Sequence, residues 1–253
     1  MSLRHAVRRA VDAALTPVAR GTGGGRILLY HRIDDGADPI GSVSPSAFEA
    51  HLEALAVGGL RSLTVTELRA NGFPQGQVAI SFDDGDVSCL AAWERLRARG
   101  WGATFFVVPE WLGRPGTLSW ADVRALAGAG AEIGSHGLRH EALEHHDQRV
   151  LTGTLAASRA RLEDVLGRPV PGIAYPFGIA PRRARLAAHR AGFAYACGSD
   201  PGSNDPHTDP FALRRNEVYA TDARPGLLAG KLRGADDWMR PVRGLEGRFR
   251  HGA

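Results

Sequence analysis

Apolar and polar positions along the chain alternate between two kinds of run. Blocks of six or seven residues that are apolar nearly throughout recur as "RILLYH" (26–31), "QVAISF" (77–82), "ATFFVVP" (103–109), "AEIGSH" (131–136), "GIAYPFG" (172–178) and "FAYACG" (193–198). Such blocks read as strands buried on both faces. Between them, apolar residues return every three or four positions in "SPSAFEAHLEALAVGG" (44–59), "LTVTELRAN" (63–71), "VSCLAAWERLRARG" (87–100), "SWADVRALAGAG" (119–130), "HDQRVLTGTLAASRARLEDVLG" (146–167) and "PRRARLAAHRAG" (181–192). That spacing predicts helices, with Thr66 and Ser119 as caps and glycines as stops. Strand and helix therefore alternate with short links. This is the pattern of parallel strands joined by crossover helices, in a barrel or an open sheet. "GTGGG" (21–25) breaks the chain, so the domain is expected to start near Arg26. The stretch after Tyr219 reads as loop with short helices.

Charge changes this picture at the two ends only. The net charge is +4, but residues 1–25 carry +3 and residues 221–253 carry another +3, leaving −2 for the middle. A nucleic-acid groove in the main domain is not expected. In residues 1–20, Leu3, Val7, Val11, Ala14, Leu15 and Val18 lie at helical spacing with arginines off the stripe. This predicts a basic amphipathic helix, either packed on the domain or in peripheral contact with an anionic membrane surface. No run reaches the roughly 20 apolar residues of a membrane span. Arg8, Arg9 and Asp12 interrupt what a signal peptide would keep apolar, so a cytoplasmic location is the expectation, free or at the inner face of the membrane. Cys89 and Cys197 form no disulfide framework and read as buried or idle thiols.

In a parallel α/β fold, chemistry gathers at the carboxyl ends of the strands. Sorting polar residues by that rule brings His31, the adjacent Asp83 and Asp84, His136 and His140 to one rim. Two acids at one strand end are costly unless something uses their charge. A divalent cation is a natural partner. His136 and His140 have an i, i+4 spacing that can bring both imidazoles to one ion on a helical turn, with Asp84 as third ligand. Neighbours on extended chain point to different sides, which leaves Asp83 beside the bound water as general base. Each piece alone has a plainer reading. Asp-Asp-Gly is usually a turn, paired histidines are commonly solvated, and His145 and His146 are read as exposed. Trp111 and Trp120 are weighed as core or as platforms for sugar rings. Tyr30 and Tyr175 are placed near the site.

The combination "ISFDDG" and "SHGLRH", with "ATFFV", "GAEIGSH" and "AYPFG", resembles the polysaccharide deacetylases, the chitooligosaccharide-deacetylase homology group, over roughly residues 26–220. The resemblance implies a distorted (β/α) barrel of about seven parallel strands, and the charge of the two ends sets them off as a basic amphipathic N-terminal arm (1–25) and a basic C-terminal tail (221–253). It implies a hydrolase that uses a divalent metal, zinc first and otherwise cobalt, nickel or manganese, to remove acetyl groups from a saccharide. Asp83 matches the base, and Asp84, His136 and His140 match the metal ligands. Tyr175 and the Phe177 N–H fall on the oxyanion and substrate side. Two departures stand out. Where many members carry an arginine against the base, this chain has Ala174, and Arg214 or Arg215 is the expected replacement. The late histidine that many members use as general acid has no counterpart, and His31 in "LLYHRI" takes that role in the branch acting on exopolysaccharides. First and last strands of a closed barrel are neighbours, which makes the exchange geometrically reasonable. The alternatives carried are a carbohydrate-binding relative without activity, suggested by Ala174, and a membrane-surface partner in polysaccharide assembly. The resemblance implies N- or O-acetylated saccharides as substrates, N-acetyl first, and the expected location adds a precursor or lipid-linked sugar.

Overall fold

The computed structural model describes residues 23–36, 41–143, 146–224, 226–235 and 237. The amphipathic segment 1–20, His145 and most of the basic tail lie outside them. The strands are β1 (Arg26–Tyr30), β2 (Ser62–Leu63), β3 (Val78–Phe82), β4 (Thr104–Val107), β5 (Glu132–Ser135), β6 (Gly172–Ala174), β7 (Tyr195–Cys197) and β8 (Asn216–Glu217). Seven of them run parallel in the order β7-β6-β5-β4-β3-β1-β8, and β2 pairs beside β3. The sheet curls into a half-barrel with helices around it, the distorted (β/α) barrel expected.

Both faces of the sheet are apolar because both are covered. Ile27, Ala79, Phe106, Ala174, Tyr195 and Cys197 share one buried cluster on the inner face. Leu28, Tyr30, Ile80, Phe82, Phe105 and Ile133 belong to another, against the helices. The clusters take alternate residues of each strand, which is the two-residue period of extended chain. Glycine matters where strands meet ring systems: a Cβ on Gly134 would stand 2.4 Å from the Phe106 ring.

The surrounding helices are α1 (Pro45–Val57), α2 (Val65–Ala70), α3 (Cys89–Arg97), α4 (Trp120–Gly128), α5 (Gln148–Leu166), α6 (Arg182–Arg190) and α7 (Leu227–Leu232). Ser119 caps α4 in a reciprocal box with Asp122, as expected. The cap of α2 is Thr64 and not Thr66. Thr64 and Glu67 satisfy each other's backbone N–H groups, which two donors at once make the better start. A short 3-10 turn (Ala220–Ala223) and α7 fall within the stretch read as a tail. Leu228, Ala229, Lys231 and Leu232 of α7 are buried. Lys231 Nζ lies 2.7 Å from Asp222 and donates to the Glu217 carbonyl at 2.7 Å. No helix of the described residues is long and apolar enough to cross a membrane.

Candidate active site

Asp83 is the residue after β3, on the same inward face as Ala79 and Ser81. It is 2 % exposed, and its N–H donates to the Tyr30 carbonyl at 3.0 Å. A buried carboxylate needs a partner, and β8 is preceded by one. Arg215, 1 % exposed, holds both Asp83 oxygens, at 2.7 and 2.8 Å. Its Nε donates to the Gly198 carbonyl at 2.7 Å, and its guanidinium lies 5.5 Å from the Phe106 ring centre. Burial alone would raise the Asp83 pKa; Arg215 and then His136 oppose it and hold the carboxyl below its ordinary value. Arg214 faces the other way, donating from Nη1 to the Ser203 carbonyl at 2.9 Å. Adjacent residues on extended chain must diverge, so only Arg215 of the two expected candidates reaches Asp83.

Asp84 separates from Asp83 by a device other than strand alternation. Its φ is 71° and that of Gly85 is 76°, so the chain turns left-handed as the strand ends. Asp84 Oδ1 stands 3.4 Å from His136 Nε2 and 3.5 Å from His140 Nε2. Among the described residues that oxygen is buried without a hydrogen-bond donor of good geometry. Burial works against the Asp84 charge, but the His136 imidazole beside it, with His31 and His140, brings the pKa down to about 2.

His136 follows β5 and points inward. Its N–H donates to the Val107 carbonyl at 2.8 Å. Its Nδ1 lies 2.9 Å from the Ala174 carbonyl, which can only accept, so Nδ1 carries the proton and Nε2 presents its lone pair to the carboxylates. Burial lowers the His136 pKa while Asp83 and Asp84 raise it, and the carboxylates win. His140 does not sit on a helical turn with His136. Gly137 and His140 are both left-handed, φ 76° and 59°, and the segment between is an irregular loop. The i, i+4 spacing works because the loop doubles back, not because a helix repeats. For His140, burial and the neighbouring His136 pull the pKa down. Its ring lies 5.0 Å from that of Trp111 and 4.6 Å from that of Phe177.

Phe177, at φ 60° inside the short 3-10 turn Pro176–Gly178, is 49 % exposed. Among the described residues, four non-glycine positions are left-handed; Asp84, His140 and Phe177 are three of them. Such backbone is costly for residues with a Cβ, and its concentration at one place marks a functional site. His31 follows β1, level with Asp83, because Tyr30 pairs with Phe82. When protonated it is one of the charges favouring the Asp83 and Asp84 carboxylates.

Tyr175 is not at the rim. It is fully buried, and its hydroxyl donates to the Phe211 carbonyl at 3.0 Å; the outer face of β6 continues into the core at that position. Tyr30 likewise points into the core, 3.2 Å from His51 Nδ1. Trp111 borders the site, whereas Trp120 packs under Arg161. The Ala174 carbonyl escaped the sequence reading, because a main-chain acceptor leaves no mark in residue type.

Asp84, His136 and His140 offer ligand atoms within 4.8 Å of one another. A tetrahedral ion with bonds of about 2.0–2.1 Å keeps neighbouring ligand atoms about 3.3 Å apart. The observed 3.4 and 3.5 Å separations fit that spacing. The buried Asp84 Oδ1 and the oriented Nε2 of His136 suit a cation as well.

A model of the family "Polysaccharide deacetylase" matches residues 70–196, half of the chain. The chain belongs to the polysaccharide deacetylase family. The matched span holds Asp83, Asp84, His136, His140 and Phe177; His31 and Arg215 lie outside it, next to β1 and β8. Among curated relatives, this deacetylase is 27 % identical to YxkH of Bacillus subtilis strain 168, assigned by name to the polysaccharide deacetylases. The match spans 198 residues, 76 % of this chain and 70 % of the relative. Among solved structures, IcaB from Ammonifex degensii shares the fold at a TM-score of 0.75 and 24 % identity, over 85 % of this chain and 99 % of that one. Streptococcus pyogenes deacetylase PplD, solved in complex with acetate, does so at 0.74 and 22 %, over 83 % and 98 %.

Proposed function

We propose that this polysaccharide deacetylase is a metal-dependent hydrolase that removes N-acetyl groups from a saccharide. The observation that carries the reading is the convergence of Asp84, His136 and His140 on one point beside an unligated carboxylate, Asp83, that Arg215 holds ionised. Three protein ligands leave positions open for water and substrate. When bound, a divalent ion there supplies a Lewis acid that acidifies water and polarises the acetyl carbonyl. The donor set suits zinc first, and also cobalt, nickel or manganese.

The chain's own residues supply the remaining steps. Asp83 takes a proton from the attacking water. Arg215 fixes the orientation of that carboxylate. The Phe177 N–H donates to the carbonyl oxygen as it gains negative charge, a main-chain role that tolerates any side chain. His31 gives a proton to the nitrogen as the C–N bond breaks, since an amine leaves poorly without one near neutral pH. Acetate and the free amino sugar are the products. PplD, a deacetylase with acetate bound, supports the assignment of the leaving acid.

The test is acetate release from a panel of N-acetylated saccharides by chelator-treated protein, before and after metal is restored. Activity is expected to vanish and return. Asp83→Asn is expected to release no acetate while still taking up metal. Acetate release that survives thorough chelation would refute the metal-dependent reading.

A further inference from the structure

We propose that the hydroxyls of Ser135 and Ser158 form a latch on the loop between the two histidines, which makes Ser158 a positioning residue for His140. The inference rests on the reading of Asp84, His136 and His140 as metal ligands. Ser135 ends β5, and Ser158 lies in the interior of α5; both are fully buried. Their Oγ atoms are 2.6 Å apart. The Gly137 N–H donates to Ser135 Oγ at 3.1 Å, and Ser158 Oγ contacts the Gly137 carbonyl at 3.1 Å.

The protons in this ring can be placed without ambiguity. A carbonyl only accepts, so Ser158 donates to Gly137. Ser158 then has only an acceptor to offer Ser135, so Ser135 donates to Ser158. Ser135 in turn accepts the Gly137 N–H. Each hydroxyl gives one bond and takes one, and both polar groups of Gly137 are satisfied by side chains instead of by a neighbouring strand.

Gly137 is the residue that turns the chain. Its φ is 76°, and a Cβ there would meet Pro176 Cγ at 3.0 Å, so neither backbone nor space admits another residue easily. The residues on either side are also tied. His136 N–H donates to the Val107 carbonyl at 2.8 Å, and the Leu138 carbonyl accepts from the Glu110 N–H at 3.2 Å. The latch is the middle of three anchors, and it is the one that fixes the reversal bringing His140 back to Asp84. A serine inside a helix usually bonds its own preceding turn. Here it reaches across to the loop, in a site where an unsatisfied carbonyl would be costly.

Removing one hydroxyl leaves a buried group of Gly137 unpaired and frees the turn. Groups that orient metal ligands from behind typically account for about 10–100-fold in metal affinity. The experiment uses the whole protein, stripped by chelator and titrated with Co(II), as wild type, Ser158→Ala and Ser135→Ala. Affinity and the visible absorption of the bound Co(II) are read together, beside the melting curve of each metal-free protein. Both variants are expected to melt cooperatively, to bind Co(II) about 10–100-fold more weakly, and to show a changed visible spectrum, because an imidazole is displaced. A merely structural role would lower the melting temperature and leave the spectrum alone. A folded variant with wild-type affinity and spectrum overturns the latch. Two variants that both fail to fold also overturn it, by assigning the ring to the fold as a whole. Wild-type protein that takes up no Co(II) overturns the metal reading itself, a result distinct from either.

Discussion

Arg215 carries the largest consequence of any single residue outside the ligand set. It is buried against Asp83 with two near-parallel hydrogen bonds, an arrangement that lysine cannot copy. Arg215→Met would strand a buried carboxylate, and burial would then drive the Asp83 pKa upward. A general base must be ionised, so the acid limb of the kcat/KM profile is expected to move to higher pH. On the acid limb, below both pKa values, the rate is expected to fall by about 10²-fold if the shift is about two pH units, while loss of ionisation alone changes it little near neutral pH. Breaking a buried pair from one side also lowers stability, by roughly 3–5 kcal/mol. Arg214→Ala, which leaves the base untouched, is expected to keep the wild-type pH profile. A pH–rate profile of the two variants separates them. The sequence brought both arginines forward and could not choose between them, because the choice depends on which face of the strand each occupies. It placed Asp83 and Asp84 correctly beside the histidines, but through strand alternation. The structure separates them by a left-handed turn at Asp84, a conformation aspartate adopts only occasionally, so residue type alone does not announce it.

At the scale of elements, what was legible depended on length and apolarity. The strands β1, β3, β4, β5, β6 and β7 lie within apolar blocks because both of their faces are covered. The two-residue β8 is polar, Asn216–Glu217, and no periodicity marks it. Yet β8 pairs with β1, and the residue before it supplies the partner of Asp83. What holds so short a strand in place is the packing of α7. Lys231 reaches from α7 to the Glu217 carbonyl, pairs with buried Asp222, and lies over the Tyr219 ring at 4.2 Å. Lys231→Ala would leave Asp222 buried without its cation. The expected cost is on the order of 3 kcal/mol, read as a lower urea midpoint at neutral pH. Because β8 follows Arg215 directly, acetate release is expected to fall with it. A variant of wild-type stability would mean that Asp222 is accommodated without Lys231, by its hydrogen bond from the Tyr219 N–H or by protonation. The segment read as a tail from its charge thus includes part of the support for β8 and the Arg215–Asp83 pair, and the net positive count hid a pairing that only proximity shows.

For the molecule as a whole, the dependence of stability on pH follows from groups buried in one protonation state. His51, on α1, is 1 % exposed; its Nδ1 meets the Tyr30 hydroxyl at 3.2 Å, and its buried Nε2 has no close hydrogen-bond partner among the described residues. Burial pulls its pKa from 6.5 down to about 4, with Asp222 opposing and Lys231 assisting. A histidine kept neutral in the folded state stabilises it fully above the unfolded pKa near 6.5. That contribution is lost as pH falls toward 4, because the unfolded chain takes up the proton first. The loss amounts to on the order of 3 kcal/mol. His140 acts in the same direction and His136 in the opposite one. The Asp83 and Asp84 contributions are present above the ordinary carboxylate pKa and fade only below about pH 4. Between pH 6.5 and 4, then, His51 is a distinct source of acid sensitivity. His51→Gln keeps a hydrogen-bonding side chain for Tyr30 and removes the titration. Urea unfolding at pH 7 and pH 4.5 measures the difference: wild type is expected to lose stability between the two, and the variant to lose about 2–3 kcal/mol less. Equal losses in the two proteins would show that His51 already carries its proton in the folded state at the lower pH.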